Sequence, residues 1–203
     1  MHSLVGQFAV PPVRLLLAAL AAVAIPAALA AQEPARSADW QIATAVLPLP
    51  DSMRPGARVL GYRGAELVEL RAGRNGMTCL ADDPKQKEFQ ASCYHNSLEP
   101  FMARGRALRA RGVTDRKAID SIRLRDVQTR RYAIPRGAIL ASVYSKEDSF
   151  DPAAGTAPAQ TGLDVIYLPY ATQATTGIAE IPLEGRPWIM YPGKPWAHVM
   201  LDR

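Results

Sequence analysis

Two histidines and one glutamate are the residues whose types could form a metal or acid–base site. His95 and Glu99 lie four residues apart where a predicted strand passes into a predicted helix, and His198 lies on the last predicted strand. Two imidazoles and one carboxylate are a common ligand set for zinc and non-haem iron. This set supports one hypothesis, an exported hydrolase or metalloenzyme that uses His95, Glu99 and His198.

The spacing of His95 and Glu99 also occurs often by chance, and nothing in the sequence brings His198 near them. Strand alternation places His95 on the same face as Cys93 and predicts that it points inward, where a histidine is more often structural than a ligand. The sequence contains no G-x-S-x-G, S-x-x-K, H-E-x-x-H or C-x-x-C-H motif and no phosphate-binding glycine loop. We therefore predict no metal, no cofactor and a non-catalytic binding or interaction domain. A structural role in envelope assembly is a third hypothesis.

Basic residues are concentrated between positions 104 and 136, where eleven arginines and lysines accompany three aspartates, a net charge of +8. Such a surface suits an anionic partner, which would be an envelope polymer, a lipid headgroup or a protein. Nucleic acid is excluded by the predicted export and by the lack of a basic–aromatic stacking pattern. The alternative is a solvated helix surface without a partner. Four arginines on the polar face of one predicted helix are the proposed binding residues: Arg104, Arg106, Arg109 and Arg111.

Both cysteines of the chain lie in two short alternating runs, Met77–Ala81 and Phe89–His95, on either side of a polar connection. Pairing Cys79 with Cys93 places the apolar residues of the two runs together on one face, as in a half-buried strand pair. We predict a disulfide between Cys79 and Cys93, worth about 3 kcal/mol by loop closure. Two reduced, buried cysteines are the alternative.

An amphipathic helix is predicted directly after this hairpin. Asn96 or Ser97 can cap it, and Gly112 is placed to end it. Its apolar residues recur at helical spacing, and the glycine among them suggests a close approach to the sheet. These residues are Leu98, Phe101, Met102, Gly105 and Leu108.

The N-terminal segment, residues 1–30, is typical of a signal peptide. An apolar run, Leu15–Ile25, precedes an A-x-A site that ends at Ala30, and the run is short for a membrane span. A retained membrane anchor is the alternative. We predict a secreted or periplasmic protein with no transmembrane segment after cleavage, a disordered linker at 31–39, and a single globular domain at 40–203.

The remaining pattern predicts an α+β fold. Short β-rich runs separated by turns indicate a mostly antiparallel sheet, a meander followed by a C-terminal hairpin, with a helical pair inserted in the middle. We expect a first strand at Trp40–Leu47 and a surface loop at Lys146–Thr161. The aromatic residues near the C-terminus are predicted to be core, with Trp196, His198 and Met200 on one face; lining a pocket is their alternative role.

Overall fold

The computed structural model describes residues 36–145 and 161–202 and confirms the α+β fold. One helix precedes the first four strands, two helices separate the fourth strand from the fifth, and a short fourth helix follows the sixth strand. The helices are α1 (Ala38–Ala45), α2 (Glu99–Ala110), α3 (Arg116–Gln128) and α4 (Gln173–Thr176). The strands are β1 (Arg58–Arg63), β2 (Glu66–Arg71), β3 (Met77–Leu80), β4 (Phe89–His95), β5 (Ile139–Ser145), β6 (Thr161–Tyr167), β7 (Trp188–Met190) and β8 (His198–Asp202).

All eight strands belong to one sheet with the order β2-β1-β3-β4-β5-β6-β8-β7. Strands β3 to β6 are consecutive antiparallel neighbours, and β7 and β8 form the predicted C-terminal hairpin. The pair α2–α3 is inserted between β4 and β5, as predicted. The first half is not a pure antiparallel meander, because β3 pairs with β1 in parallel on the side opposite β2.

The β3–β4 hairpin has the predicted register, with Cys79 opposite Cys93 and Met77 opposite His95. The two cysteines form a disulfide and are fully buried. The bond lies in the core cluster beneath α1, where the Cys93 Sγ is 3.2 Å from the Ala45 carbonyl oxygen. It therefore does not face the arginine-bearing helix, which packs on the other face of the sheet.

Helix α1 replaces the first strand predicted at Trp40–Leu47, and it begins within the predicted linker. Ser37 caps the helix by accepting a hydrogen bond from the backbone N–H of Trp40. The buried residues of α1 follow helical spacing and are Gln41, Thr44 and Ala45. The Gln41 side chain also bonds to the backbone N–H and C=O of Tyr62, which joins α1 to β1.

Helices α2 and α3 cover the second face of the sheet, and the predicted apolar stripe of α2 is confirmed: Leu98, Phe101, Gly105 and Leu108 are buried. Gly105, however, approaches α3 instead of the sheet. A Cβ atom at this position would lie 2.0 Å from the Arg123 Nη2. The missing side chain is therefore what allows the guanidinium of Arg123 to lie against α2.

Several predictions fall on residues that the structure does not describe. The signal peptide at 1–30, residues 31–35 of the linker and residues 146–160 of the expected loop lie outside the described residues. Within residues 36–145 and 161–202, no helix has the length and apolar character needed to cross a membrane.

Candidate functional site

His95, Glu99 and His198 do not converge. The strand register places His95 on the disulfide face, whereas His198 lies on the α2–α3 face, and β5 and β6 separate their strands. Three strand spacings correspond to about 14 Å across the sheet. Among the described residues, no group of three or more His, Cys, Asp or Glu side chains is placed to hold a metal ion.

His95 has a local role at the end of β4. Contrary to the inward orientation expected from alternation, it is exposed, at the position where the strand ends. Its Nδ1 accepts a hydrogen bond from the backbone N–H of Ser97 and so caps the short 3-10 turn Asn96–Leu98 that precedes α2.

Glu99 belongs to a polar network beneath the start of α2. Arg106 donates one hydrogen bond of 2.6 Å to Glu99 and one of 2.8 Å to the Tyr94 hydroxyl, which in turn donates to Glu99. Burial, followed by the hydrogen bond to Glu99, raises the pKa of Tyr94 above its ordinary value. Glu99 is thus engaged in holding α2 on the sheet.

The four arginines predicted as one binding face have different surroundings. Arg104 donates to the buried Asp126 of α3 at 2.6 Å, and Arg106 is held by Glu99, so both are neutralised within the fold. Arg109 and Arg111 are exposed, and neither forms an ion pair with another described residue. Of these two exposed arginines, Arg109 also lines a cleft.

A cleft lies between the helices α2 and α3 and the strands β5, β6, β8 and β7, and we call it the α3–β8 cleft. Its volume is about 490 Å³, within the range of small-molecule sites. The helical wall carries three arginines and one aspartate, and the sheet wall is aromatic and apolar apart from one histidine. The lining residues are Phe101, Met102, Arg109, Thr114, Arg116, Ile119, Asp120, Arg123, Leu140, Tyr167, Met190, Tyr191, Trp196 and His198.

Arg123 is the most constrained cation of the cleft. Its guanidinium carbon lies 4.1 Å from the centre of the Phe101 ring, and its Nε is buried without a hydrogen-bond partner in the described structure. No described carboxylate forms an ion pair with it. Burial, reinforced by the nearby charge of Arg109, lowers the pKa of Arg123. The carboxylate of Asp120 on the same wall acts in the opposite sense but has a smaller effect than Arg109, so the three arginines leave a net positive charge that favours the binding of an anion.

Arg116 extends this positive surface towards the mouth of the cleft. Its side chain is exposed, and its guanidinium carbon lies 5.6 Å from the centre of the Tyr191 ring. Tyr191 has a backbone φ of 57°, which is uncommon for a bulky residue and carries a conformational cost. The fold thus maintains a strained backbone at the position that places Tyr191 against Arg116 and His198.

His198 is the polar group on the sheet wall, and it is 8% exposed. Its Nδ1 lies 2.8 Å from the Trp196 carbonyl oxygen, and its ring lies between those of Tyr167 and Tyr191 at 5.1 and 5.8 Å. Because a carbonyl can only accept, Nδ1 carries the proton and Nε2 is left as an acceptor. Burial lowers the pKa of His198 and favours this neutral form.

The sequence predicted only part of this site. It placed Trp196, His198 and Met200 correctly on one face, and it treated the C-terminal aromatics as core, which holds for Trp196. It missed Arg116 and Arg123. Their spacing was a usable signal, since both lie on the helical face that contains the buried Ile119.

The buried His198 is expected to make the protein less stable as the pH falls. The folded pKa lies below the unfolded value of 6.5, so the unfolded chain binds the proton more readily. This contribution to stability is complete above the unfolded pKa and is lost as the pH falls below it. Urea unfolding between about pH 8 and about pH 5 should show a smaller loss of stability in His198→Gln than in the wild type. The exposed-site variant His95→Gln should retain the wild-type difference, and an unchanged pH dependence in His198→Gln would contradict the assignment.

Comparisons with protein-family models, with curated proteins and with solved structures find no match to this chain. The geometry and chemistry of the α3–β8 cleft are therefore the basis for assigning a function.

Proposed function

We propose that the protein is an exported, non-catalytic binding protein that holds a small organic anion in the α3–β8 cleft. The anion would lie against the helical wall, where Arg109, Arg116 and Arg123 provide N–H donors and positive charge. Export is supported by the signal-like segment at 1–30 and by the Cys79–Cys93 disulfide, a bond that forms mainly in oxidising compartments.

The observation that carries the proposal is the environment of Arg123. A guanidinium half removed from water normally has a carboxylate partner, and Arg104 and Arg106 on the neighbouring helix have one. No described carboxylate forms an ion pair with Arg123; Asp120 affects it less than Arg109, which brings a second positive charge near it. A bound anion would supply the missing counter-charge and the acceptors that arginine donors require.

The shape of the cleft supports a small ligand. An extended envelope polymer or a lipid surface would contact the exposed arginines of both helices about equally. The arginines of the cleft instead face an apolar wall across a volume suited to a compact molecule. The end group of a larger molecule shares this chemistry and would enter in the same way.

Anion binding can be tested by titrating the folded protein with benzoate, phenyl phosphate and inorganic phosphate. The changes in its NMR chemical shifts measure the binding. We expect Arg123→Gln to weaken binding of the best of these probes by about tenfold or more, because it removes a charged hydrogen-bond donor. The double variant Arg109→Gln/Arg116→Gln should lose a comparable factor.

The matched control is Arg111→Gln/Arg125→Gln, which removes the same charge from an exposed position at the end of α2 and an exposed position of α3, both outside the cleft. It should change the affinity by less than about twofold, since exposed charges are screened by solvent and salt. If both double variants lost the same factor in affinity, the anion would be bound by a diffuse basic surface and not by the cleft. The absence of binding by all three probes would contradict the proposal.

A further inference from the structure

His198 adds a second recognition element that the arginines cannot supply. Arginine side chains only donate hydrogen bonds, whereas the Nε2 of His198 accepts one in the tautomer fixed by the Trp196 carbonyl. No residue of the described chain provides a hydrogen bond to this Nε2, and the atom is not sealed from solvent, so it is accessible from the cleft that His198 lines.

The position of the ring is fixed from several sides. Nδ1 is held by the main chain of the β8 entry, and the rings of Tyr167 and Tyr191 contact the imidazole. The left-handed backbone of Tyr191 is part of this arrangement. An acceptor that is held in place at the wall of a cleft, with no protein partner, is available to a donor group of a ligand in place of water.

The donors for an anion and the acceptor at His198 lie on opposite walls. Arg116 and Arg123 belong to α3, whereas His198 belongs to β8 in the sheet beneath. Half-buried apolar side chains lie around the space between the walls, among them Met102, Leu140 and Met190. A ligand that contacts both walls therefore needs an apolar body between two polar ends.

We infer that the cleft selects organic anions that carry an O–H or N–H donor at the end remote from the anionic group, with a compact apolar body such as a single ring between them. The anionic end binds the arginines of the helical wall, and the donor bonds to the Nε2 of His198. This selectivity rests on the proposed function and assigns the chemical class of its ligand.

Matched ligands test the inference directly. Benzoate presents the anion and the ring, 3- and 4-hydroxybenzoate add a donor at two positions, and the corresponding methoxybenzoates occupy the same space without the donor. We expect at least one hydroxybenzoate to bind wild-type protein about fivefold more tightly than benzoate, the factor of one additional hydrogen bond. The methoxy compound of the same position should show no gain.

Two variants assign this preference to His198. His198→Phe keeps a ring in the aromatic surroundings but removes the acceptor, and it should lose the hydroxyl preference, measured as the ratio of the hydroxybenzoate affinity to the benzoate affinity of the same variant. His198→Gln retains an acceptor near the position of Nε2 and should keep part of that preference. The matched control His95→Phe alters the histidine on the other face and should behave as the wild type.

The two proposals fail in distinguishable ways. Arginine-dependent benzoate binding without any gain from a hydroxyl group would overturn the selectivity and leave anion binding in place. A hydroxyl preference that persists in His198→Phe would also overturn it. Absence of binding by every carboxylate and phosphate probe would overturn both. If His198→Phe does not fold, the comparison of hydroxy with methoxy ligands on the wild type, together with His198→Gln, still decides the question.

Discussion

Reduction of the Cys79–Cys93 disulfide is expected to lower the free energy of unfolding by about 3 kcal/mol. The bond closes a loop between residues 14 positions apart, and opening it restores conformational entropy to the unfolded chain. Both cysteines are fully buried beneath α1 in the cluster formed with Ala45 and Val59, so reduction adds little to the accessible conformations of the folded state.

Urea unfolding of the wild type with and without a thiol reductant measures this difference. The double variant Cys79→Ala/Cys93→Ala is the control, because its stability should not respond to the reductant. The free energy of unfolding of this variant should also be lower than that of the oxidised wild type by at least the same amount, since alanine leaves additional space in the core. Equal stability of the oxidised and reduced wild type would contradict the expected contribution of the bond.

The second large effect is expected at Phe101. Phe101→Ala should lower the free energy of unfolding by about 3–5 kcal/mol, as for other fully buried aromatic residues. The ring is 4% exposed, stacks on Trp196 and makes edge contacts with Tyr132 and Tyr167, which joins α2 to the sheet and to the segment after α3. Chemical denaturation of purified protein would measure the loss.

Phe101→Leu serves as the matched comparison, because it retains most of the apolar contact and should cost roughly a third as much. It also removes the aromatic face beneath the guanidinium of Arg123. The leucine variant should therefore weaken anion binding by more than its small loss of stability suggests. A loss below about 1 kcal/mol in Phe101→Ala would mean that this residue does not hold α2 against the sheet.

Local patterns were sufficient for most of the fold. The register of β3 with β4 followed from the alternation of two short runs, and the buried face of α2 followed from helical spacing. The parallel pairing of β1 with β3 could not be predicted in this way. It joins strands that are not consecutive in the chain, and no residue of either strand specifies its partner.

Helix α1 was missed for a different reason. Apolar runs as short as Trp40–Leu47 suit a buried strand or a helix equally well, and the isoleucine, valine and aromatic residues favoured the strand. The decisive signal was Ser37, which caps the helix from within a segment assigned to the linker. The hydrogen bonds of Gln41 to Tyr62 in β1 stabilise this helix further.

The candidate site was harder to predict than the fold, because it depends on contacts between residues that are distant in the sequence. The arginines of α2 formed one group in sequence, but Asp126 and Glu99 neutralise two of them through contacts that only the folded chain creates. Arg123 was overlooked because its surroundings depend on Gly105, a residue of another helix. Likewise, the tautomer of His198 depends on a backbone carbonyl that sequence patterns do not place.

The α3–β8 cleft combines residues from two distant parts of the chain, α2–α3 and the segment from Tyr167 to His198. An unfolded chain cannot assemble this lining, so a compound that occupies it binds the native state alone and raises the melting temperature by mass action. A ligand present at one hundred times its dissociation constant would add about 2.7 kcal/mol to stability. Thermal-shift screening of periplasmic or culture-medium metabolites could therefore identify the natural ligand without a prior assumption about its structure.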